Sequence, residues 1–345
     1  MISVIIILII MKKKSIIKSL SLTISGDPYG YGHFKRMIVL KSKLKKHNIY
    51  NHIIDVTKLK INSLKKIDLN IFRIIFVDFS NDLFFKKKKF KILINHLNNY
   101  NGKIFIFDSV EKRIVRFALK DKKKRYLICP YFLTKKKEIE TKKFNCYYGP
   151  QYFLFDKIYF NKSKSQKLKK IFLSCGGLDH YNYTYQIAKE IFLINPQIEI
   201  HATIGPLFKK KNIKLIKLLK KKNRFYLYKS VKNLSQVSQK CDLAIVSSGL
   251  TKYEMLASKI NLAVFSENST HTKYNSSFAN SNLAYDLSNF HNIYYMKNKL
   301  KYLFKNYYKI YYKNFRFKKN LLESNKFDLI IKNAKLNHIP TYKRN

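Results

Sequence analysis

The chain has 345 residues, 46% of them hydrophobic, which exceeds one ordinary core and suits two domains of about 150 residues each. Its net charge of +50 comes from 70 basic and 20 acidic residues, but 62 of the basic ones are lysine, scattered in runs such as Lys86–Lys89, Lys122–Lys124, Lys135–Lys137 and Lys209–Lys211. Without one basic face or an RNA-binding motif, that charge implies a general attraction to anions and no specific nucleic-acid partner. The wealth of lysine, asparagine, isoleucine, tyrosine and phenylalanine, with no tryptophan, follows AT-rich codons. The four cysteines, Cys129, Cys146, Cys175 and Cys241, are spaced 17, 29 and 66 residues apart. That is neither a C-x-x-C pair nor a zinc pattern, so reduced, mostly buried thiols in a cytoplasmic protein are expected.

In chain order, Ile2–Ile10 is an apolar run too short to span a bilayer, and Lys12-Lys13-Lys14 follows it instead of preceding it as in a signal peptide. It reads as residues ahead of a true start at Met11, or as a membrane-touching tail, with no stable anchor. A strand over Ile16–Ile24 leads into the turn Gly30-Tyr31-Gly32-His33-Phe34-Lys35-Arg36 and an amphipathic helix, Met37–Lys46. Strands are expected at Tyr50–Val56, at Ile71–Val77 closing on Asp78, and at Lys103–Phe107 closing on Asp108, with a helix at Phe90–Asn99. Continuous β-branched and aromatic runs of this kind suit strands covered on both faces.

Tyr148-Gly149-Pro150 is a turn, and Asn161–Lys170 a polar linker, after which the βαβ rhythm restarts. Strand Lys170–Ser174, turn Gly176-Gly177 and helix Asn182–Leu193 come first, then strands Glu199–Ile204, Phe225–Tyr228, Leu243–Ser247 and Leu262–Phe265 with helices between them. The expected organisation is a first Rossmann-like domain over 1–150 and a linker over 151–170, then a nucleotide-binding Rossmann-like domain over 171–286 and a helical segment over 287–345. Alternating strands and helices imply parallel sheets, whose ligands sit at the carboxyl ends of the strands. The fold class is therefore α/β, with two parallel-sheet domains facing across a cleft.

Glycine lets a ligand approach the backbone, and the amides of a following helix favour phosphate. On that ground Gly30 and Gly32, Gly176 and Gly177, and the small-residue turn Ser247-Ser248-Gly249-Leu250-Thr251 are candidate nucleotide-binding positions. Glu254, three residues past Thr251, is placed either to bind ribose hydroxyls or to complete a capping box with Thr251. The imidazole of His33 is a candidate general base.

Four motifs, G-Y-G-H-F-K-R, Y-Y-G-P-Q-Y-F-L-F, F-L-S-C-G-G-L-D and C-D-L-A-I-V-S-S-G-L-T-K-Y-E, occur in the order and spacing of the PseG/SpsG family, and the chain resembles that family from about Ile17 to Leu287. These are UDP-sugar hydrolases of pseudaminic acid biosynthesis, similar in fold to MurG-type GT-B glycosyltransferases. The resemblance implies hydrolysis of UDP-2,4-diacetamido-2,4,6-trideoxy-β-L-altropyranose without metal or other cofactor. His33 would activate the water, and Asp78 and Asp108 would orient the His33 imidazole or bind sugar hydroxyls. Gly176, Gly177, Ser248, Gly249 and Thr251 would hold the diphosphate and Glu254 the ribose. Arg36, Asn268 and His271 are further substrate-side candidates. The chain departs from the family at Asp156, Ile158 and Ser269, which places the differences on the sugar side. A GT-B glycosyltransferase using a UDP-sugar donor is the alternative enzyme, and a non-catalytic binder of anionic polymers the alternative outside enzymology.

Overall fold

The computed structural model describes residues 17–79, 81–107, 117, 124–130, 146–163, 165–179, 181–219, 223–289, 293–314 and 326–335. The Ile2–Ile10 run, Met11 and Asp108 lie outside the described residues. Grouped by contact, 1–24, 33–127 and 329–345 form one unit, and 25–32 with 128–328 form another.

Six strands build the first sheet: β1 (Ile17–Thr23), β2 (Ile49–Asp55), β3 (Ile74–Asp78), β4 (Lys103–Phe107), β5 (Arg125–Cys129) and β6 (Cys146–Tyr148), in the order β2-β1-β3-β4-β5-β6. The pairings of β1 with β2 and β3, and of β3 with β4, are parallel. Every residue of β3 and β4 is buried, as their unbroken apolar runs demand, and Phe76 stacks on Phe105 with ring centroids 5.4 Å apart. Helices α1 (Gly32–Lys46), α2 (Ile61–Lys65), α3 (Asp82–Phe85) and α4 (Lys88–Asn98) connect the strands. Helix α1 begins five residues before the expected Met37, so Gly32 and His33 belong to its first turn. Its last turn carries Lys43, Lys45 and Lys46, whose charges complement the negative end of the helix. Strands β5 and β6, absent from the sequence reading, follow lysine-rich tracts that mask their short apolar cores.

The second sheet contains β7 (Lys170–Ser174), β8 (Glu199–Ile204), β9 (Phe225–Lys229), β10 (Leu243–Val246), β11 (Asn261–Ser266) and β12 (Tyr285–Asn289), in the order β12-β11-β10-β7-β8-β9. All its described pairings are parallel. Numbered from β7, this is the doubly wound 3-2-1-4-5-6 order, whose direction of winding reverses between β7 and β10. One face is covered by α5 (Tyr183–Ile194) and α6 (Lys210–Leu219), through Ile187, Ile191 and Ile216 packed on Leu173, Ile200 and Ile245. Helix α7 (Leu234–Ser238), helix α8 (Thr251–Ala257) and helix α9 (Ser269–Asn280) cover the other face, where Tyr253, Met255 and Phe278 pack against Phe172, Ala244 and Val264. Removing an aromatic such as Phe172 from this packing costs about 3–5 kcal/mol. Helices α10 (Ile293–Lys305) and α11 (Phe327–Lys335) close the described chain. Among the described residues no helix is long and apolar enough to cross a membrane.

Candidate functional site

In the first sheet the winding reverses between β1 and β3, and three residues from the flanking segments meet there. Asp78, the last residue of β3, is fully buried and accepts from His33 Nδ1 at 2.7 Å. Its two oxygens also accept from Arg36, Nε to Oδ2 at 2.5 Å and Nη2 to Oδ1 at 2.6 Å. His33 and Arg36 are three residues apart on α1, which puts both side chains on one helix face. Burial alone would push the Asp78 carboxyl up, but the charge of Arg36, His33 and their hydrogen bonds hold it below the usual carboxylate range. As an ionised acceptor it fixes the proton of His33 on Nδ1, which leaves Nε2 with its lone pair.

Arg36, expected on the substrate side, is buried and directs its guanidinium at Asp78, with Phe107 beneath it at 5.6 Å. Thr23, opposite Asp78 in the β1–β3 register, is a residue the sequence reading missed; its buried Oγ1 has no hydrogen-bond partner among the described residues. The signal available for it was the one used for Asp78, a polar residue closing a buried strand.

The glycine turns lie in the second unit. Gly176 holds a backbone φ of +80°, a conformation that side chains rarely adopt, and Gly177 follows it at the carboxyl end of β7. A Cβ on Gly176 would stand 3.7 Å from Ser247 Oγ, so this turn adjoins the one after β10 at the reversal point. Gly30 pairs with Gly26 in a short bridge, Tyr31 lies against Gly177, and Gly32 lies against Leu250. Ser248 has a buried Oγ with no partner among the described residues. Gly249 is open, with no described residue within 4 Å of a Cβ placed there. Leu250 is the residue before α8 and makes no side-chain cap, so Thr251 is the first helical residue and no capping box forms with Glu254. Glu254 is half-buried in the first turn of that helix.

Asn268 caps α9, its Oδ1 accepting from His271 N at 2.9 Å. His271 Nδ1 is buried without a partner among the described residues, and burial with the nearby charge of Lys252 lowers its pKa. Lys252 itself is 2% exposed, donates to Asn275 Oδ1 at 3.0 Å and is pushed down by burial to about 7. Glu267, directly after β11, is pushed up by burial to about 7 against a hydrogen bond from Ser247, with Asp179 adding to the rise. Neither Lys252 nor Glu267 was singled out in sequence, although Glu267 again closes a buried strand. Cys175 is buried and its thiol is raised well above the ordinary range by burial, then by Asp179, so it is a packing residue and no nucleophile.

No family model matches the chain. It is 26% identical over 261 residues to the uncharacterized protein MJ1062 of Methanocaldococcus jannaschii, covering 69% of this chain and 53% of that protein. The chain thus spans about half the length of the curated relative it matches. Among solved structures it is similar to MnaA of S. aureus in complex with UDP (TM-score 0.63, 10% identity, 92% and 96% of the two chains). It is also similar to Alr3699/HepE of Anabaena with UDP and glucose (0.55, 10%, 92% and 99%) and to MurG of Acinetobacter baumannii (0.53, 11%, 91% and 99%). At such identities the likeness shows the fold: the chain has the two-domain α/β fold of the GT-B class.

Proposed function

We propose that the protein is a GT-B-type enzyme that uses a UDP-sugar donor and transfers its sugar to an acceptor hydroxyl. His33 is the base, and the turns Gly176-Gly177 and Ser247–Thr251 hold the diphosphate, with Glu254 on the ribose. In this reaction the acceptor oxygen bonds to the anomeric carbon, the carbon–oxygen bond to UDP breaks, and the acceptor proton passes to His33 Nε2. Asp78 keeps Nδ1 protonated throughout and stabilises the imidazolium that forms, while Arg36 keeps Asp78 ionised. Backbone amides at the glycine turns stabilise the charge that develops on the leaving UDP.

The observation that carries this reading is the 2.7 Å bond between His33 and the buried Asp78 at a strand-end reversal point, an imidazole held in the tautomer a base requires. UDP in the similar MnaA and HepE structures supports the choice of donor. The motif resemblance to the PseG/SpsG family favours a second reading, in which water takes the acceptor's place and the substrate is a UDP-2,4-diacetamido-trideoxy sugar. Purified protein incubated with UDP-sugars, with and without sugar or lipid-linked acceptors, decides between them. UDP release only with acceptor is expected for transfer; equal release in water alone moves the assignment to hydrolysis. No release under either condition, with nucleic acid or polyphosphate bound in a steeply salt-dependent way, returns the protein to the non-catalytic class.

A further inference from the structure

Helix α10 and the turn that continues it present one outward stripe of tyrosine and lysine. The bonds from Asn306 N to Tyr302 O and from Ile310 N to Asn306 O, both 2.9 Å, carry the helical path past Lys305. Met296, Leu300, Leu303 and Tyr307 are buried on its inner side, within the core of the second unit. At 3.6 residues per turn, Tyr294, Tyr295, Lys301, Tyr302, Lys305 and Tyr308 fall on the opposite side, and all are exposed. Exposed Lys309 extends the row. At the margin, Lys297 pairs with Glu190 at 3.2 Å, and Lys299 Nζ lies over the rings of Tyr285 and Tyr295 at 5.6 and 5.5 Å. Tyr302 also stacks on Tyr285, with ring centroids 6.5 Å apart, so the protein holds the aromatic part of the stripe in place.

Lysine and tyrosine abound along the whole chain, so placement decides. Of the eight exposed aromatic side chains among the described residues, four belong to this stripe, between 47% and 74% exposed. Positions 287–322 hold nine basic residues and no acidic one. Tyrosine suits a membrane interface, with its ring toward the acyl chains and its hydroxyl in water, and lysines beside it reach anionic headgroups. The stripe runs about 22 Å along the convex side of one helix, which matches a plane, whereas single-stranded nucleic acid is held in a groove. We propose that this face docks the protein on the surface of an anionic lipid bilayer. The helix lies on that surface and does not enter it as a span, because its apolar side is buried in the core.

The test is sedimentation with vesicles in the absence of nucleotide, so its outcome is independent of the sugar-transfer reading. The wild type should sediment with vesicles of phosphatidylglycerol and phosphatidylcholine, and not with phosphatidylcholine alone; no binding to the anionic vesicles rejects the proposal. Lys301→Gln, Lys305→Gln and Lys309→Gln, combined, should weaken that binding by about 100-fold. The same loss of three charges at the exposed Lys86, Lys87 and Lys88 should cost less than about threefold. If it costs as much as the stripe variant, the attraction is the general one of a chain with net charge +50, and the proposal is overturned. The chain has no tryptophan, so Tyr302→Trp adds a single indole. Its emission should shift to the blue when anionic vesicles are added; binding without a shift puts the contact elsewhere and overturns the proposal. Binding of a single-stranded oligonucleotide that the stripe variant abolishes, with vesicle binding unaffected, assigns the face to nucleic acid and overturns it equally.

Discussion

At the reversal point of the first sheet the functional side chains are tied to one another: Asp78 takes bonds from His33 and from two nitrogens of Arg36. At the reversal point of the second sheet the arrangement is the opposite, with a buried Ser248 hydroxyl that has no partner among the described residues, an open Gly249 and a glycine turn. Both sites occupy equivalent places in doubly wound sheets, so topology does not explain the difference. A group that must move a proton needs its own orientation and charge fixed before substrate arrives, and the protein supplies that internally. Groups that bind a ligand are left for the ligand to satisfy. The His33–Asp78–Arg36 cluster is saturated internally, whereas the Thr23 hydroxyl beside it and the Ser248 hydroxyl of the second unit have no partner among the described residues; on the proposed reading the first set moves a proton and Ser248 is left for the ligand.

The largest effect expected from this contrast is on turnover. His33→Ala should lower the rate of UDP release by about 10²–10⁴-fold while UDP affinity, measured by calorimetry, stays within about twofold. Equal losses in both quantities would erase the division. Next comes Asp78→Asn, which strands the buried Arg36 charge and should cost about 3–5 kcal/mol in chemical denaturation. Because the folded-state carboxyl is held below its ordinary value, its stabilisation is complete above about pH 4 and is lost as pH falls further, so the variant should lack part of the wild type's acid-side decline. An Asp78→Asn variant as stable as the wild type would show that the three-residue cluster is dispensable.

What the sequence made visible was uneven for physical reasons. His33 stood out because glycines and an imidazole share one short turn, and the buried strands β3 and β4 because their apolar runs are unbroken. The bond from His33 to Asp78 spans 45 residues, and nothing local announces it. Arg36, a substrate-side candidate in the sequence, directs its guanidinium at Asp78, an anion supplied by the chain itself and 42 residues away. Helix α9 has the sequence STHTKYNSSFAN, poor in strong helix formers, and is recognisable only once Asn268 caps it and Phe278 packs into the core. Nothing local announces Glu267, because the burial that pushes its carboxyl up to about 7, and Asp179 that adds to the rise, come from the folded chain.

Smaller effects sharpen the second half of the comparison. A Cβ on Gly205 would lie 2.6 Å from the carbonyl oxygen of Gly177, so Gly205→Ala must displace the 176–177 turn. UDP affinity should fall by about tenfold, roughly 1.4 kcal/mol, with the pH dependence of turnover unaltered. Unchanged affinity would remove that turn from the binding site. Lys252→Met replaces a buried amine whose folded-state pKa, about 7, lies below its unfolded value. Such a group withholds stability at low pH and restores it as pH rises from 7 toward about 10. The variant should accordingly be about 1 kcal/mol more stable at pH 6, with the gain shrinking in alkaline buffer. A gain that grows with pH would show that the cation over the Tyr253 and Phe278 rings is a net stabiliser.

Nine glycines in 345 residues is a sparse supply, and two of them, Gly177 and Gly205, stand back to back with no room for a methyl group between them. The height of the 176–177 turn above the sheet is thus set by atoms that are missing. In a chain whose composition leans toward AT-rich codons, such a position is a hard stop: a GC-rich codon is held in place by backbone sterics. A survey of tolerated substitutions would accordingly mark Gly205 as constrained, although the constraint is the Gly177 backbone packed against it.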